Sequence, residues 1–255
     1  MKTLITFVHF KRSDQIYEDN LNFFIKMGLN DSKDNHFNFV INSPTGGEQI
    51  PIQENVSIIK GHNQGYDFGA YKESIDNSDW ESFDRFIFMN DTCRGPFTPN
   101  YVPESINWVD MFLNDLDKTV KLVGPTWVTA TEWDYVHNMF DILPGKIKHI
   151  QSYCFGMDRV CLELILNNNM FTTTGKSRIN IIGEHEIGLS QLVLDTGYEI
   201  KPLQLSRHSN IKHIDIVKNG QYFKDSLNPL EIMFIKTTRM QNQTVSNYTE
   251  WFMNK

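Results

Sequence analysis

The stretch FDRFIFMNDTCRGPF, residues 83–97, carries an apolar run straight onto Asn90 and Asp91 and then turns through a Gly-Pro pair. A carboxylate at the mouth of a buried strand, with no cation beside it until Arg94, is costly unless something binds it. A hard divalent cation, Mn2+ or Mg2+, suits such a place. It prefers oxygen ligands and often uses one or two carboxylates together with substrate phosphates. The plainer alternative is that Asp91 caps the turn into TCRGPF. Two further carboxylates, Glu184 and Glu186, stand in GEHEIGLSQLVLDTGYEIKPL (183–203) at an expected helix start, where the helix dipole favours negative charge. A carboxylate in a cleft there can act as a general base; a capped, solvated helix start is the ordinary alternative. GHNQGYDFGAY (61–71) has three glycines that allow a tight turn and close approach of a ligand. Asn63 and Asp67 in it can hydrogen-bond a base or ribose, or Asp67 can simply cap the helix that follows. Lys236 and Arg239, after the apolar run of NPLEIMFIKTTR, could neutralise a diphosphate or cover the surface, and His208 and His213 in SRHSNIKHID could contact a metal or phosphate. TTTGKS (172–177) looks like the end of a phosphate-binding loop. It has Met170 where that loop needs glycine and follows a helical stretch instead of a strand, so it reads as a surface loop.

These groups need a scaffold, and the hydrophobic pattern supplies one. Residues 4–10, 37–43, 55–61, 85–90 and 121–125 read as short apolar strands. Between the first two, Ile16, Leu21, Phe24 and Ile25 fall at helical spacing, with Asp14 as N-cap and Gly28 as the stop. SINWVDMFLNDLDK (105–118) reads as an amphipathic helix. Alternating strands and helices predict an α/β fold, with a mostly parallel sheet and helices on both faces. Ligands of such sheets bind beyond the carboxyl ends of the strands, and the polar clusters fall there: Asn42, the 61–70 segment, and Asn90-Asp91. With no repeat, linker or low-complexity tract, residues 1–255 are expected to form a single domain.

Composition narrows the partners. The 255 residues carry a net charge of -7 with no basic run, so nucleic acid, which needs a basic face, is not an expected partner. Cys93, Cys154 and Cys161 are odd in number and match no zinc spacing, which suggests reduced thiols. MKTLITFVHFKR reads as a first strand, being too short and lacking the cleavage site of a signal peptide. No apolar stretch approaches the ~20 residues of a membrane span. The expected location is cytoplasmic, or peripheral to a membrane where glycans are assembled.

The segments NQGYDFGAY, FDRFIFMNDTCRGPF, HIQSYCFGMDR, GEHEIGLSQLVLDTGY and NPLEIMFIKTTR, in that order, resemble the rhamnan-synthesis-F-like glycosyltransferases. That group includes bacterial polysaccharide enzymes and domains of large algal viruses. The resemblance covers about residues 60 to 240. It implies a GT-A (Rossmann-like) fold, with a nucleotide-sugar-binding half over about residues 1–125 and an acceptor-binding half over about 126–255. It further implies a metal-dependent inverting hexosyl or deoxyhexosyl transferase, which moves a sugar from a nucleotide-diphosphate donor to a hydroxyl of a glycan acceptor.

By the same analogy Phe7, His9 and Asn42 would flank the base, and Asn63, Asp67 and Gly69 would lie near the nucleoside. Asp91 would take the place of the usual Asp-X-Asp metal site; His213 is a further candidate ligand by residue type alone. Because Asn90 and Cys93 stand where a second carboxylate would, the cation should be held weakly without nucleotide. Asp91 would be left unpaired so that this cation, and through it the diphosphate, can pair with it, with help from Lys236 or Arg239. The HEIGLS segment is similar to the Glu-Asp-X-X-Leu-Ser region of many inverting enzymes, which puts Glu186 on the base with Glu184 and His185 as neighbours. Gln151, Ser152 and Tyr153 would line the acceptor side, and Trp127 would stack on a sugar or sit in the core. The alternatives are a sugar nucleotidyltransferase and a glycan-binding module without catalysis. The first usually has a glycine-rich basic loop after strand one, where this chain has HFKRSDQ.

Overall fold

The computed structural model describes residues 1–103, 105–129, 148–204, 221–222, 225–238 and 243–254. Its centre is the expected mostly parallel sheet, with seven strands. They are β1 (Thr3–His9), β2 (Asn35–Ile41), β3 (Val56–Lys60), β4 (Arg85–Asn90), β6 (Val120–Gly124), β9 (Cys154–Asp158) and β10 (Glu199–Pro202). Their spatial order is β10-β6-β9-β4-β1-β2-β3. All neighbours run parallel except β9, which is antiparallel to both β4 and β6. Short pairs β5 (Cys93–Arg94) with β13 (Ile235–Lys236), β7 (Trp127–Thr129) with β8 (Lys148–Ile150), and β11 (Gln221–Tyr222) with β12 (Asp225–Ser226) lie outside it.

Side chains of a strand alternate between faces, and both faces here are apolar, as a doubly covered sheet requires. Leu4, Val8, Phe86 and Phe88 pack on one side with Phe68 and Tyr71 of α2 (Tyr66–Asp76) and with Leu162 and Ile165 of α4 (Arg159–Asn167). Ile5, Phe7, Ile87 and Met89 pack on the other with Leu21 and Phe24 of α1 (Ile16–Met27) and Trp108 and Phe112 of α3 (Trp108–Phe112). The amphipathic stretch at 105–118 is thus helical only over its five central residues. Asn107 caps them by accepting from the Val109 N–H, and turns follow from Leu113.

The segment around 183–203 also differs from a single capped helix. It opens earlier, at Ser177, as a short turn α5 (Arg178–Asn180). It then runs as a π-helix over Ile181–Ile187 and becomes an α-helix, α6 (Gly188–Asp195), only from Gly188. The C-terminal helix α8 (Gln243–Met253), which follows α7 (Pro229–Ile232), closes a third cluster. In it Phe23, Phe97, Ile232 and Phe252 meet.

Because β1 to β4 are parallel, their carboxyl ends share one edge. The antiparallel β9 brings its amino end there too, since the Asn90 N–H donates to the Tyr153 carbonyl at 3.1 Å. The ends of β6 and β10 join the same edge, where the Gln204 N–H donates to the Pro125 carbonyl. Among the described residues no helix is long and apolar enough to cross a membrane.

Candidate active site

Asn90 and Asp91 are consecutive, so they diverge to opposite faces at the sheet edge. Asn90 lies on the α2 face. Its Nδ2 donates to Asp67 Oδ2 at 2.7 Å, and its Oδ1 accepts from the Thr92 N–H at 3.0 Å and hydroxyl at 2.6 Å. Asp67 is therefore no helix cap. The residue at the α2 N-cap is Gly65, in the left-handed region, with no side-chain cap.

Burial first, and then the nearby charge of Asp91, push the Asp67 carboxyl up to about 6, with Glu186 adding in the same sense and Lys236 and Arg12 opposing. All four charges are felt at Asp67 and so lie around it. Between 3.8 and about 6 the folded chain holds a proton on Asp67 that the unfolded chain has released. Stability linked to this group is therefore full below that window and lost as the pH rises through it. Asp67→Asn should remove the loss, so that urea midpoints of variant and native chain move in the variant's favour from the low to the high end of the window. An unchanged difference would mean that the carboxyl is not desolvated.

Asp91 lies on the α1 face and is almost wholly buried. The unpaired state expected from the sequence is not found. Its Oδ2 accepts from the Phe10 N–H at 2.8 Å, and Arg12 Nη1 donates to both carboxylate oxygens at 3.0 Å. His9 Nδ1 lies 3.0 Å from Oδ2 without hydrogen-bond alignment, while His9 Nε2 pairs with Glu18 Oε1 at 3.1 Å. The reason is topological. β1 and β4 are adjacent and parallel, Asp91 is level with the end of β1, and the chain leaving that end reaches Arg12 three residues later. Arg94, the next cation in sequence, turns away to Asn20 and Thr249.

This donor set does not fit a divalent ion. The oxygens of Asp91 are already met by a guanidinium and a backbone N–H. Among the described residues no group of three or more His, Cys, Asp or Glu side chains could hold a metal. His213 and Arg239, with His208, lie outside the described residues.

The other expected residues divide between site and scaffold. Phe7 is core, not a base platform: it is 2% exposed and stacked on Phe24 at 4.8 Å between ring centroids. Asn42 is buried at the end of β2, and its Oδ1 has no hydrogen-bond partner. Gly61 leaves the room for it, since a Cβ there would stand 2.0 Å from that oxygen. Asn63 is exposed with φ 52. Gly69 is a packing residue, because a Cβ there would meet the Gln64 carbonyl at 1.9 Å.

On the acceptor side, Tyr153 is buried. Its hydroxyl lies 3.0 Å from Thr126 Oγ1, which donates to Gln151 Oε1 at 3.0 Å. The Ser152 carbonyl accepts from the Tyr71 hydroxyl at 3.2 Å. Trp127 packs against the core on the α2 side of the sheet. Lys236 pairs in register with Cys93, two residues past Asp91, and its ammonium lies 5.8 Å from the centre of the Tyr153 ring.

Glu184 and Glu186 are separated by environment. Glu184 is engaged by Lys176, whose hydrogen bond holds its carboxyl below the usual range, and also accepts from Asn180 at 3.3 Å. The TTTGKS segment is thus tied down at Lys176 and at Thr173, whose hydroxyl donates to the Gly65 carbonyl at 2.6 Å. Glu186 is half-buried inside the π-helical run, not at a helix start. His185 between them is buried. Its Nδ1 is 2.8 Å from the Met170 carbonyl, its Nε2 has no hydrogen-bond partner and lies 3.9 Å from Glu184 Oε2, and burial pushes its pKa down.

Two residues beside these groups escaped the sequence reading. Arg12 had only the basic Lys11-Arg12 pair after strand one as a signal. Tyr66 is 52% exposed with φ 57, directly before Asp67. A non-glycine residue in that region is uncommon and often marks a working loop.

In an open α/β sheet, ligands bind beyond the carboxyl ends of the strands, which is where these polar and charged groups converge. The chain belongs to the rhamnan synthesis protein F family, whose profile matches residues 39–255. This is the family that the sequence segments resemble, and the match reaches further toward both ends. A search of curated proteins finds no match. Among solved structures, one similar chain is a mannosyltransferase from Pyrobaculum calidifontis in complex with GDP-Man and Mn2+, at 9% identity and a TM-score of 0.48. The similarity covers 79% of this chain and 54% of that one, so this chain spans about half the neighbour's length.

Proposed function

We propose that the chain is a GT-A glycosyltransferase that moves a sugar from a nucleotide-diphosphate donor to a hydroxyl of a glycan acceptor, with inversion. One observation carries this reading: the charges of Asp91, Glu186, Lys236 and Arg12 are all felt at Asp67, at the edge where parallel strands present ligands. Membership in a family of rhamnan synthesis supports a glycan as the product.

The donor's nucleoside lies over the 61–67 loop, with Asp67 accepting from ribose or base and Tyr66 offering an exposed ring. Asn42, with its unmet oxygen, accepts a further donor hydrogen. Lys236 supplies positive charge at the diphosphate. Glu186 takes the proton of the acceptor hydroxyl as its oxygen bonds to the anomeric carbon. The bond from that carbon to the diphosphate oxygen breaks, and the electron pair leaves with the nucleoside diphosphate. Direct displacement by one base inverts the centre. Gln151, Ser152 and Trp127 face the acceptor half of this edge.

The test is a screen of UDP-, GDP- and dTDP-sugars with simple alkyl glycosides as acceptors, following release of the nucleoside diphosphate. Acceptor-dependent release from one donor is the expected result, and its absence across the panel overturns the reading. With the active donor identified, Asp67→Ala should weaken nucleotide binding by about 1–3 kcal/mol, the cost of losing a charged hydrogen bond, without loss of folding. Unchanged affinity would remove Asp67 from the nucleoside site.

A further inference from the structure

We propose that the guanidinium of Arg12 is itself the cation of the leaving-group site, so that the chain binds a nucleoside diphosphate without a divalent metal. This rests on the nucleotide-sugar reading above. Arg12 occupies the place on Asp91 that a metal ion would need, contacting both carboxylate oxygens at 3.0 Å. Nη1 also donates to the Phe10 carbonyl at 3.0 Å, and the guanidinium carbon lies 3.9 Å from the centre of the Tyr17 ring.

All of these hydrogen bonds use Nη1. A guanidinium has five N–H donors in a planar fork, and among the described residues Nε and Nη2 donate to nothing. The side chain is 34% exposed whereas that of Asp91 is 3% exposed, so the group has one side anchored in the protein and another open to a ligand. An anchored guanidinium with a free donor edge is a preorganised receptor for phosphate oxygens, which it can bind two at a time. Such a receptor adds its charge where the departing diphosphate develops its own.

A divalent ion would have to displace Arg12 from a buried carboxylate, and Asp67 beside it already accepts from Asn90. Arg12 precedes the segment matched by the family profile, so the inference comes from this chain's own contacts.

Calorimetric titration of the full chain with UDP, GDP and dTDP, in excess chelator and again with Mn2+, tests it. The expected result is that one of the three binds in chelator with an affinity within about twofold of that in Mn2+, and that Arg12→Ala weakens it by at least about tenfold. Arg12→Lys, which keeps the charge but not the fork, should recover only part of the loss. Arg12→Ala leaves Asp91 buried beside a cavity and could disturb folding. The double variant Arg12→Ala, Asp91→Asn removes that stranded charge and should show the same loss of affinity. Binding that requires Mn2+ overturns the inference, as does binding in chelator that neither Arg12 variant weakens. If none of the three binds under either condition, the nucleotide-sugar reading fails first and this inference falls with it.

Discussion

Replacing Glu186 by Gln is expected to slow sugar transfer by ~10²–10⁴-fold, with donor affinity within a few-fold of the native chain. Gln keeps the size and hydrogen-bonding shape of the side chain but cannot take a proton at neutral pH, so only a role in proton transfer predicts this split. The environment separates Glu186 from its neighbour. It is half-buried in a π-helical turn, with its charge felt at Asp67, while Glu184 is exposed and engaged by Lys176 and Asn180. Glu184→Gln therefore breaks a surface contact of about 0–1 kcal/mol and should leave the rate nearly unchanged. Steady-state measurement of kcat and KM for both variants decides it. Reversed effects would make Glu184 the base, and two silent substitutions would remove the inverting mechanism from this helix.

Phe7→Ala should cost ~3–5 kcal/mol of stability, a large share of the roughly 5–15 kcal/mol that hold a domain folded. The ring stacks on Phe24 at 4.8 Å and lies 5.9 Å from Phe39, on the α1 face of the sheet. It sits on β1, the strand that also carries His9 and leads to Arg12. Urea unfolding should show the midpoint falling sharply. Full stability with lost nucleotide affinity would restore Phe7 to the base-flanking role that its place near a strand end suggested.

The two outcomes bear on why the sequence was legible in part. The five strands expected from the sequence lie within a residue or two of their places, because runs such as LITFVHF and RFIFMN can be buried on both faces only in a covered parallel sheet, whereas the antiparallel β9 was not read. Parallel strands put their carboxyl ends on one edge. That Asn42, the 61–67 loop and Asn90-Asp91 would meet therefore followed from order alone.

What order could not decide was where each side chain points and what arrives from elsewhere in the chain. Asp91 looked unpaired because its partner is 79 residues earlier and reaches it only when β4 lies beside β1. Asn90 and Asp91 look like one polar pair in sequence, yet the pleat sends one to Asp67 and the other to Arg12. Phe7 and His9 share one face of the same strand. The first packs beneath α1 in the core and the second reaches the edge, a difference set by depth in the sheet and not by residue type. The π-helical run at Ile181–Ile187 left no mark in the apolar spacing, which is read at 3.6 residues per turn, so the surroundings of Glu186 were fixed by tertiary packing. Local pattern determined the elements and the edge on which chemistry gathers. Only the adjacency of distant strands decided which charges face one another there, because a side chain's electrostatic partners are set by distance in space and not along the chain.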